Sequence, residues 1–237
     1  ATVPGRPLNQ FSLDQHDGTL RVATTIPGAG EAESVSDLYT LDAATLERRG
    51  RETDMGKGQR VYAVRYVGET AYVVTFRQVD PLHVVDLSNP ADPTEVGTLK
   101  LPGFSNYLHP IDDEHVLGIG EEDGQVKATL FDVGDPTDPQ VADSTLLEAS
   151  WSAVSRTHHA FTIDRKHGVV FLPAGGEGRL IDYTNGSLAT AHVVRTDGPA
   201  ERARYVDDYL YVFAGRQLAV VDETDWSRTA TLSLESA

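Results

Sequence analysis

The chain has 237 residues, no cysteine and a formal net charge of -16, with 20 basic against 36 acidic side chains. The missing cysteine excludes disulfides, thiolate catalysis and cysteine-ligated zinc within these residues. The acidic balance opposes binding to nucleic acid and to anionic membranes, because affinity for phosphate needs clustered lysine and arginine, and no apolar stretch reaches the roughly 18 residues of a membrane helix.

The chain is built from a repeat, and each repeat begins with two short apolar runs separated by a tight turn. The turns are rich in aspartate and glycine, and the runs are rich in β-branched and aromatic residues, which is typical of β-hairpins. The five paired runs cover residues 11–24, 64–74, 108–119, 161–172 and 204–213. We expect each pair to form the two inner strands of one structural unit.

A third strand in each repeat closes on an aspartate. The five closing aspartates are Asp42, Asp86, Asp132, Asp182 and Asp222, and their spacings are 44, 46, 50 and 40 residues. We interpret each one as a turn residue whose carboxylate accepts backbone N–H bonds at the strand end. A fourth strand follows most of them, near residues 94–101, 140–147, 188–195 and 228–234.

Four short strands in a unit of about 45 residues predict an all-β fold, a β-propeller with five four-stranded blades. We place the blades approximately at residues 8–55, 56–103, 104–150, 151–198 and 199–237, in a single domain over residues 1–237. The first unit starts on its inner strand and the last ends on its outer strand. We therefore expect weak closure between the terminal blades with self-association through their edges, or a chain that is part of a longer protein.

Several longer runs are similar to a known family. They are residues 9–14, 60–66, 71–82, which include the run VTFRQVDP, 101–110 and 158–161. These runs resemble the secreted beta-propeller domain family of archaea and bacteria, which is distantly related to WD40 repeats. The resemblance implies a propeller fold and an extracellular or cell-surface location, and it implies no reaction.

Polar side chains near the starts of the inner strands are the candidate ligand-binding residues, because these positions gather near one mouth of a propeller's central channel. At these positions lie Asn9, Asn106, Glu201 and Arg202, and a fifth candidate, Arg65, comes from a concentration of arginines. The alternative is that they are hydrogen-bonding groups or line a water-filled channel. Arg65 and Arg202 also belong to an arginine concentration with Arg77 and Arg204, for which ion pairing and a bound anion are the two interpretations.

Three histidines are candidate metal ligands, for calcium or a transition metal. His158 and His159 are adjacent, and neighbours in a strand point to opposite faces, so we expect that they cannot easily chelate one ion together. His109 lies at a comparable place one blade earlier, and it would complete such a site with one of them.

Catalytic signatures are mostly missing from the sequence. It contains no Gly-x-Ser-x-Gly elbow, no phosphate loop and no His-Glu-x-x-His motif. Glu201 is the only acid at the inferred strand starts, whereas glycoside hydrolysis needs a pair. We therefore expect a non-catalytic module that binds an unidentified protein or small molecule. The alternatives are a metal-binding or metal-dependent propeller enzyme and a purely structural section of a larger propeller.

Overall fold

The computed structural model describes residues 1–29, 33–76 and 80–234, with the side chain of Asp80 outside the described part. Consecutive strands form five four-stranded sheets, and each sheet keeps its strands in chain order. The predicted all-β propeller with five four-stranded blades is therefore confirmed. Among the described residues, no helix is long and apolar enough to cross a membrane.

The sheets follow one another along the chain. The first contains β1 (Leu13–His16), β2 (Thr19–Ile26), β3 (Val35–Asp42) and β4 (Arg48–Met55). The second contains β5 (Arg60–Val67), β6 (Thr70–Phe76), β7 (Asp80–Asp86) and β8 (Thr94–Leu101). The third contains β9 (Phe104–Pro110), β10 (His115–Glu122), β11 (Gln125–Asp132) and β12 (Gln140–Leu146). The fourth contains β13 (Thr162–Asp164), β14 (Val169–Ala174), β15 (Glu177–Asp182) and β16 (Ala189–Val194). The fifth contains β17 (Arg202–Val206), β18 (Tyr209–Ala214), β19 (Gln217–Asp222) and β20 (Arg228–Ser233).

Short 3-10 helices precede two of the inner strands. The helix Gln10–Ser12 leads into β1, and the helix His158–Ala160 leads into β13. A polar side chain caps each of them, since Asn9 accepts a hydrogen bond from the backbone of Phe11 and Thr157 accepts one from the backbone of His159. The ordered strand therefore starts later in these two sheets than the apolar pattern indicates.

The chain forms two compact units, residues 1–120 with 131–141 and residues 121–130 with 142–237. In the first unit, one apolar core joins the first and second sheets through Leu38, Val73 and Leu87, and another includes Leu82 and Val133. In the second unit, a core joins the fourth and fifth sheets. The strands β2, β3 and β14 are buried along most of their length, so their sequences are near-continuous apolar runs.

The closing aspartates stabilise the same turn in every sheet. The Oδ1 atom of each accepts the backbone N–H of the residue two positions later, and the donors are Ala44, Ser88, Gly134, Thr184 and Thr224. The interpretation of these aspartates as turn residues is confirmed.

The residue after each closing aspartate is also held in a fixed place. Its backbone N–H donates to a carbonyl of the inner hairpin turn of the same sheet, and these residues are Ala43, Leu87, Val133, Tyr183 and Glu223. Leu87 and Val133 are buried in the apolar cores of the first unit. The backbone is therefore placed alike in all five sheets, and the sheets differ at this position in the side chain that it carries.

Candidate functional site

The inner hairpin of the fourth sheet places a carboxylate against a histidine. Asp164 ends β13, and its Oδ1 accepts the backbone N–H of Lys166 at 2.8 Å. The Nδ1–H of His167, three residues after Asp164, donates to the Asp164 Oδ2 at 2.5 Å. Burial opposes ionisation of Asp164, but these hydrogen bonds outweigh it and hold its pKa below the ordinary value.

Glu223 brings a second carboxyl to this hairpin from the fifth sheet. Its backbone N–H donates to the Asp208 carbonyl at 2.8 Å, and its side chain is 0% exposed. Neither side-chain oxygen meets a hydrogen-bond donor among the described residues, and the polar neighbour of the carboxyl is the Asp164 carboxylate, to which the protonated acid can donate. Burial, followed by the nearby charge of Asp164, raises the pKa of Glu223 to about 8. At neutral pH this group is a neutral acid next to an ionised one.

Asp164, His167 and Glu223 together have the donor set of a metal site. One ligand atom from each lies within 4.8 Å of the other two, and His167 Nδ1 is 3.8 Å from Glu223 Oε2. Imidazole nitrogen and carboxylate oxygen bind a divalent ion at about 2.0–2.2 Å. In a tetrahedral site such atoms lie roughly 3.3 Å from one another. The Glu223 oxygen would therefore have to approach His167, and the hydrogen-bonded His167 Nδ1 and Asp164 Oδ2 would have to move apart to admit the ion.

Charged and aromatic groups surround the three residues. Asp208 Oδ1 lies 3.6 Å from His167 Nε2, and a salt bridge with Lys166 holds the pKa of Asp208 below its ordinary value. Trp226 presents its ring edge to His167, with 6.4 Å between the ring centroids, and stacks on His192 at 6.0 Å. The cluster thus has an acidic neighbour on one ring nitrogen of His167 and an indole beside the ring.

Sequence reasoning missed these three residues, although one signal pointed to them. Aligning the repeats on the closing aspartates puts Glu223 at the position of Leu87 and Val133. All three residues are buried, with 3% to 5% of the whole residue exposed, and Glu223 is the one among them that carries an ionisable group. A carboxyl at a position that other blades fill with an apolar side chain calls for a binding partner.

The predicted ligand residues of the first unit are engaged in the fold. Arg65 donates to the Leu108 carbonyl through Nε at 2.8 Å and through Nη2, and its guanidinium lies 3.9 Å from the centroid of the Phe11 ring. Burial lowers the pKa of Arg65. Asn9 caps the helix Gln10–Ser12. Their role as ligand contacts stays a prediction.

Two further predicted residues lie on β9. His109 Nδ1 is 3.1 Å from the Tyr107 hydroxyl, and Tyr107 also lies under the Arg65 guanidinium at 5.3 Å. The structure therefore groups Arg65 and His109 around Tyr107. The Oδ1 of Asn106 is buried and has no hydrogen-bond partner among the described residues.

The predicted residues of the second unit need one correction. His158 and His159 lie in a 3-10 helix with ring centroids 3.9 Å apart, so the expectation that they point to opposite faces of a strand is wrong. The reason is the Thr157 cap, which starts a helical turn where the pattern indicated a strand. The described group that suits a metal contains none of the three predicted histidines.

Glu201 and Arg202 lie at the start of β17 and are exposed. The backbone N–H of Glu201 donates to the Phe213 carbonyl, and the Arg202 guanidinium lies 5.5 Å from the centroid of the Phe213 ring. Arg77, from the predicted arginine concentration, lies outside the described residues.

Comparison with known proteins gives the chain its family. The family described as "Beta propeller domain" matches residues 1–208. An uncharacterized protein of Archaeoglobus fulgidus is 47% identical over 234 residues, which are 99% of this chain and 36% of that protein. The protein MJ1554 of Methanocaldococcus jannaschii is 36% identical over 236 residues, 99% of this chain and 38% of that protein. The chain thus spans little more than a third of the length of these curated relatives.

The structure of apo AztD from Citrobacter koseri is similar in fold, with a TM-score of 0.62 and 17% sequence identity. The alignment covers 94% of this chain and 59% of that one. At this identity the likeness concerns the fold alone. From the family match and the two archaeal relatives, the chain belongs to the beta-propeller domain family.

Proposed function

We propose that this propeller is a binding protein that holds one divalent transition-metal ion between Asp164, His167 and Glu223. The observation that carries the proposal is the side chain of Glu223, which is fully buried beside a histidine and a second carboxylate and whose two oxygens meet no hydrogen-bond donor among the described residues. A buried polar group without a partner costs about 1–3 kcal/mol. A cation at this point would supply the missing interaction.

The donor set favours some ions over others. Calcium and magnesium prefer oxygen ligands, whereas one imidazole with two carboxylates suits zinc, manganese or ferrous iron. An ion bound here would take the place of the proton on His167 Nδ1 and of the proton on the Glu223 carboxyl. Asp208, beside the other ring nitrogen, would orient His167.

Binding is proposed rather than catalysis because the sequence lacks the catalytic motifs named above, and the repeat architecture itself carries no reaction. The interaction with an unidentified protein or small molecule at the channel mouth stays part of the proposal. So does an extracellular or cell-surface location, which rests on the family resemblance. Fractionation of cells that express the protein tests the location, since recovery in the cytosol would contradict it.

The metal proposal is tested by calorimetric titration of chelator-treated protein with Zn²⁺. We expect one ion per chain, and the variants Glu223→Leu and His167→Ala should weaken binding at least about tenfold. Trp226 supplies a second readout, because its indole contacts His167 and its fluorescence should change on binding.

His115→Ala is the matched control for this experiment. His115 also lies three residues after an aspartate and contacts it, with Nδ1 2.9 Å from Asp112 Oδ1, but the Asp112 side chain is 55% exposed. This variant should bind Zn²⁺ like the parent protein. The proposal fails if the parent shows no saturable binding, or if His115→Ala weakens binding as much as His167→Ala does.

A further inference from the structure

A cavity lies in the first unit, between the end of β6 and the start of β5. The cavity has a volume of about 300 Å³ and is lined by Ser34, Gly58, Gln59, Arg60, Tyr62 and Phe76. This volume is at the lower end of the range for small-molecule sites. None of these residues belongs to the proposed metal site.

One wall of the cavity is aromatic. The ring centroids of Tyr62 and Phe76 are 5.3 Å apart, and Phe104 lies 5.4 Å from Tyr62 and 4.8 Å from Phe76. All three side chains are half-buried, whereas the phenylalanines Phe131 and Phe171 are fully buried. Tyr62 meets both phenylalanine rings edge to face, at 81° and 65°, so the three half-buried rings form an angled apolar wall against which an aromatic group can pack.

Arg60 adds a positive charge at the rim of this wall. Its guanidinium lies 4.9 Å from the centroid of the Tyr62 ring and donates to the Tyr62 hydroxyl at 2.8 Å. Other arginines of this acidic chain, such as Arg21 and Arg179, form ion pairs. Arg60 is exposed and has no ion pair among the described residues, so its charge is available to an anion.

The floor of the cavity is held in one arrangement by hydrogen bonds. The Gln59 Oε1 accepts a hydrogen bond from the Thr75 hydroxyl, and Thr75 also contacts His83 Nε2 at 3.0 Å. The Ser34 hydroxyl donates to the Gln59 carbonyl at 2.7 Å. Polar groups fixed by a buried network are typical of a site that is formed before its ligand arrives.

From these observations we infer that the cavity binds a small aromatic carboxylate, with its ring on Tyr62, Phe76 and Phe104 and its carboxylate on Arg60. A polyanion is disfavoured, because the net charge of -16 repels it and one arginine cannot compensate.

Three probes separate the contributions in a calorimetric titration. They are 1-naphthoate, the neutral 1-naphthalenemethanol and the non-aromatic cyclohexanecarboxylate. We expect 1-naphthoate to bind about tenfold more tightly than either of the others, because it alone satisfies both the rings and Arg60. The inference is overturned if 1-naphthoate shows no saturable binding, or if it binds no better than the alcohol.

Variants then locate the site. Arg60→Gln should weaken 1-naphthoate about tenfold and leave the alcohol unchanged, while Phe76→Leu should weaken both aromatic probes. Arg48→Gln is the matched control, since Arg48 is exposed on β4 and its loss changes the net charge equally. Equal weakening by Arg60→Gln and Arg48→Gln would contradict a specific site. Chelator-treated protein is used throughout, so the result is independent of the metal proposal.

Discussion

Each unit contains a histidine that contacts a carboxylate, but the two networks differ in whether their carboxyl groups have hydrogen-bond donors. In the second sheet His83 contacts Thr75 at 3.0 Å and donates to Glu95 at 3.0 Å, and Glu95 also accepts from Thr98. In the second unit His167 also contacts a carboxylate, but the two oxygens of Glu223 next to it meet no hydrogen-bond donor among the described residues.

The difference indicates that the His83 network stabilises the fold, and it supports our proposal that the His167 network binds a ligand. Burial raises the pKa of Glu95, but the hydrogen bonds from His83 and Thr98 outweigh it, so the pKa lies below its ordinary value. The pKa of Glu223 is shifted the opposite way, because burial and the charge of Asp164 are not compensated. A fully satisfied polar network strengthens a core, whereas a half-satisfied one weakens it.

We expect the largest effect on stability when a buried carboxyl without a hydrogen-bond donor is introduced into the first unit. Leu87 occupies the position of Glu223 in the second sheet and is buried in an apolar core. We expect Leu87→Glu to lower the free energy of unfolding by about 3–5 kcal/mol, through lost packing and an unpaired buried carboxyl. Urea denaturation measures the change, and Leu87→Met is the control for volume. A loss below that of Leu87→Met would contradict this account.

The satisfied network is tested by removing its centre. His83→Ala should lower the free energy of unfolding by about 2–4 kcal/mol, because it leaves the half-buried Glu95 without its main partner and opens a cavity where the buried imidazole was. The same urea titration applies, with His115→Ala as the control at a less buried aspartate contact. If both variants lose the same small amount, the buried network contributes no more than a surface pair.

The sequence predicted much of this fold because its signals are local. Each closing aspartate, such as Asp86, forms its turn with a residue two positions away, so a short motif is enough to identify it. The strands around it follow from runs of apolar residues bounded by turns. The helical turn at His158 escaped this reasoning because it depends on the Thr157 cap rather than on apolar periodicity.

The candidate site could not be predicted in the same way. Glu223 directly follows Asp222, and in the sequence it resembles another polar turn residue. Its place in the proposed metal site depends on its proximity to Asp164 and His167 in the fourth sheet. That proximity arises only when the fourth sheet packs against the fifth. The repeat alignment marks the position as unusual, but it does not reveal the partners.

The pH dependence of the free energy of unfolding tests whether Glu223 is protonated in the folded protein. Glu223 has a pKa of about 8 in the folded protein against an ordinary value of 4.5, so the folded state keeps a proton that the unfolded state releases. This contribution is fully present below pH 4.5 and is lost as the pH rises through 8. In chelator-treated protein the free energy of unfolding should fall by about 2–3 kcal/mol between about pH 5 and pH 7, a slope of about 1.4 kcal/mol for each pH unit. Glu223→Gln should remove that decline, and an unchanged decline would assign it to another group.

The smallest effect expected is a gain in stability. Glu223→Leu gives the fifth sheet the side chain that Leu87 provides in the second, and it removes a buried carboxyl without a hydrogen-bond donor while Asp164 and His167 keep their mutual hydrogen bond. We expect the metal-free variant to be more stable than the parent by about 1–2 kcal/mol at pH 7 in urea denaturation. With Zn²⁺ in excess the order should reverse, because the ion stabilises only the protein that binds it. A variant that is less stable than the metal-free parent would show that Glu223 supports the fold, and the contrast between the two networks would then fail.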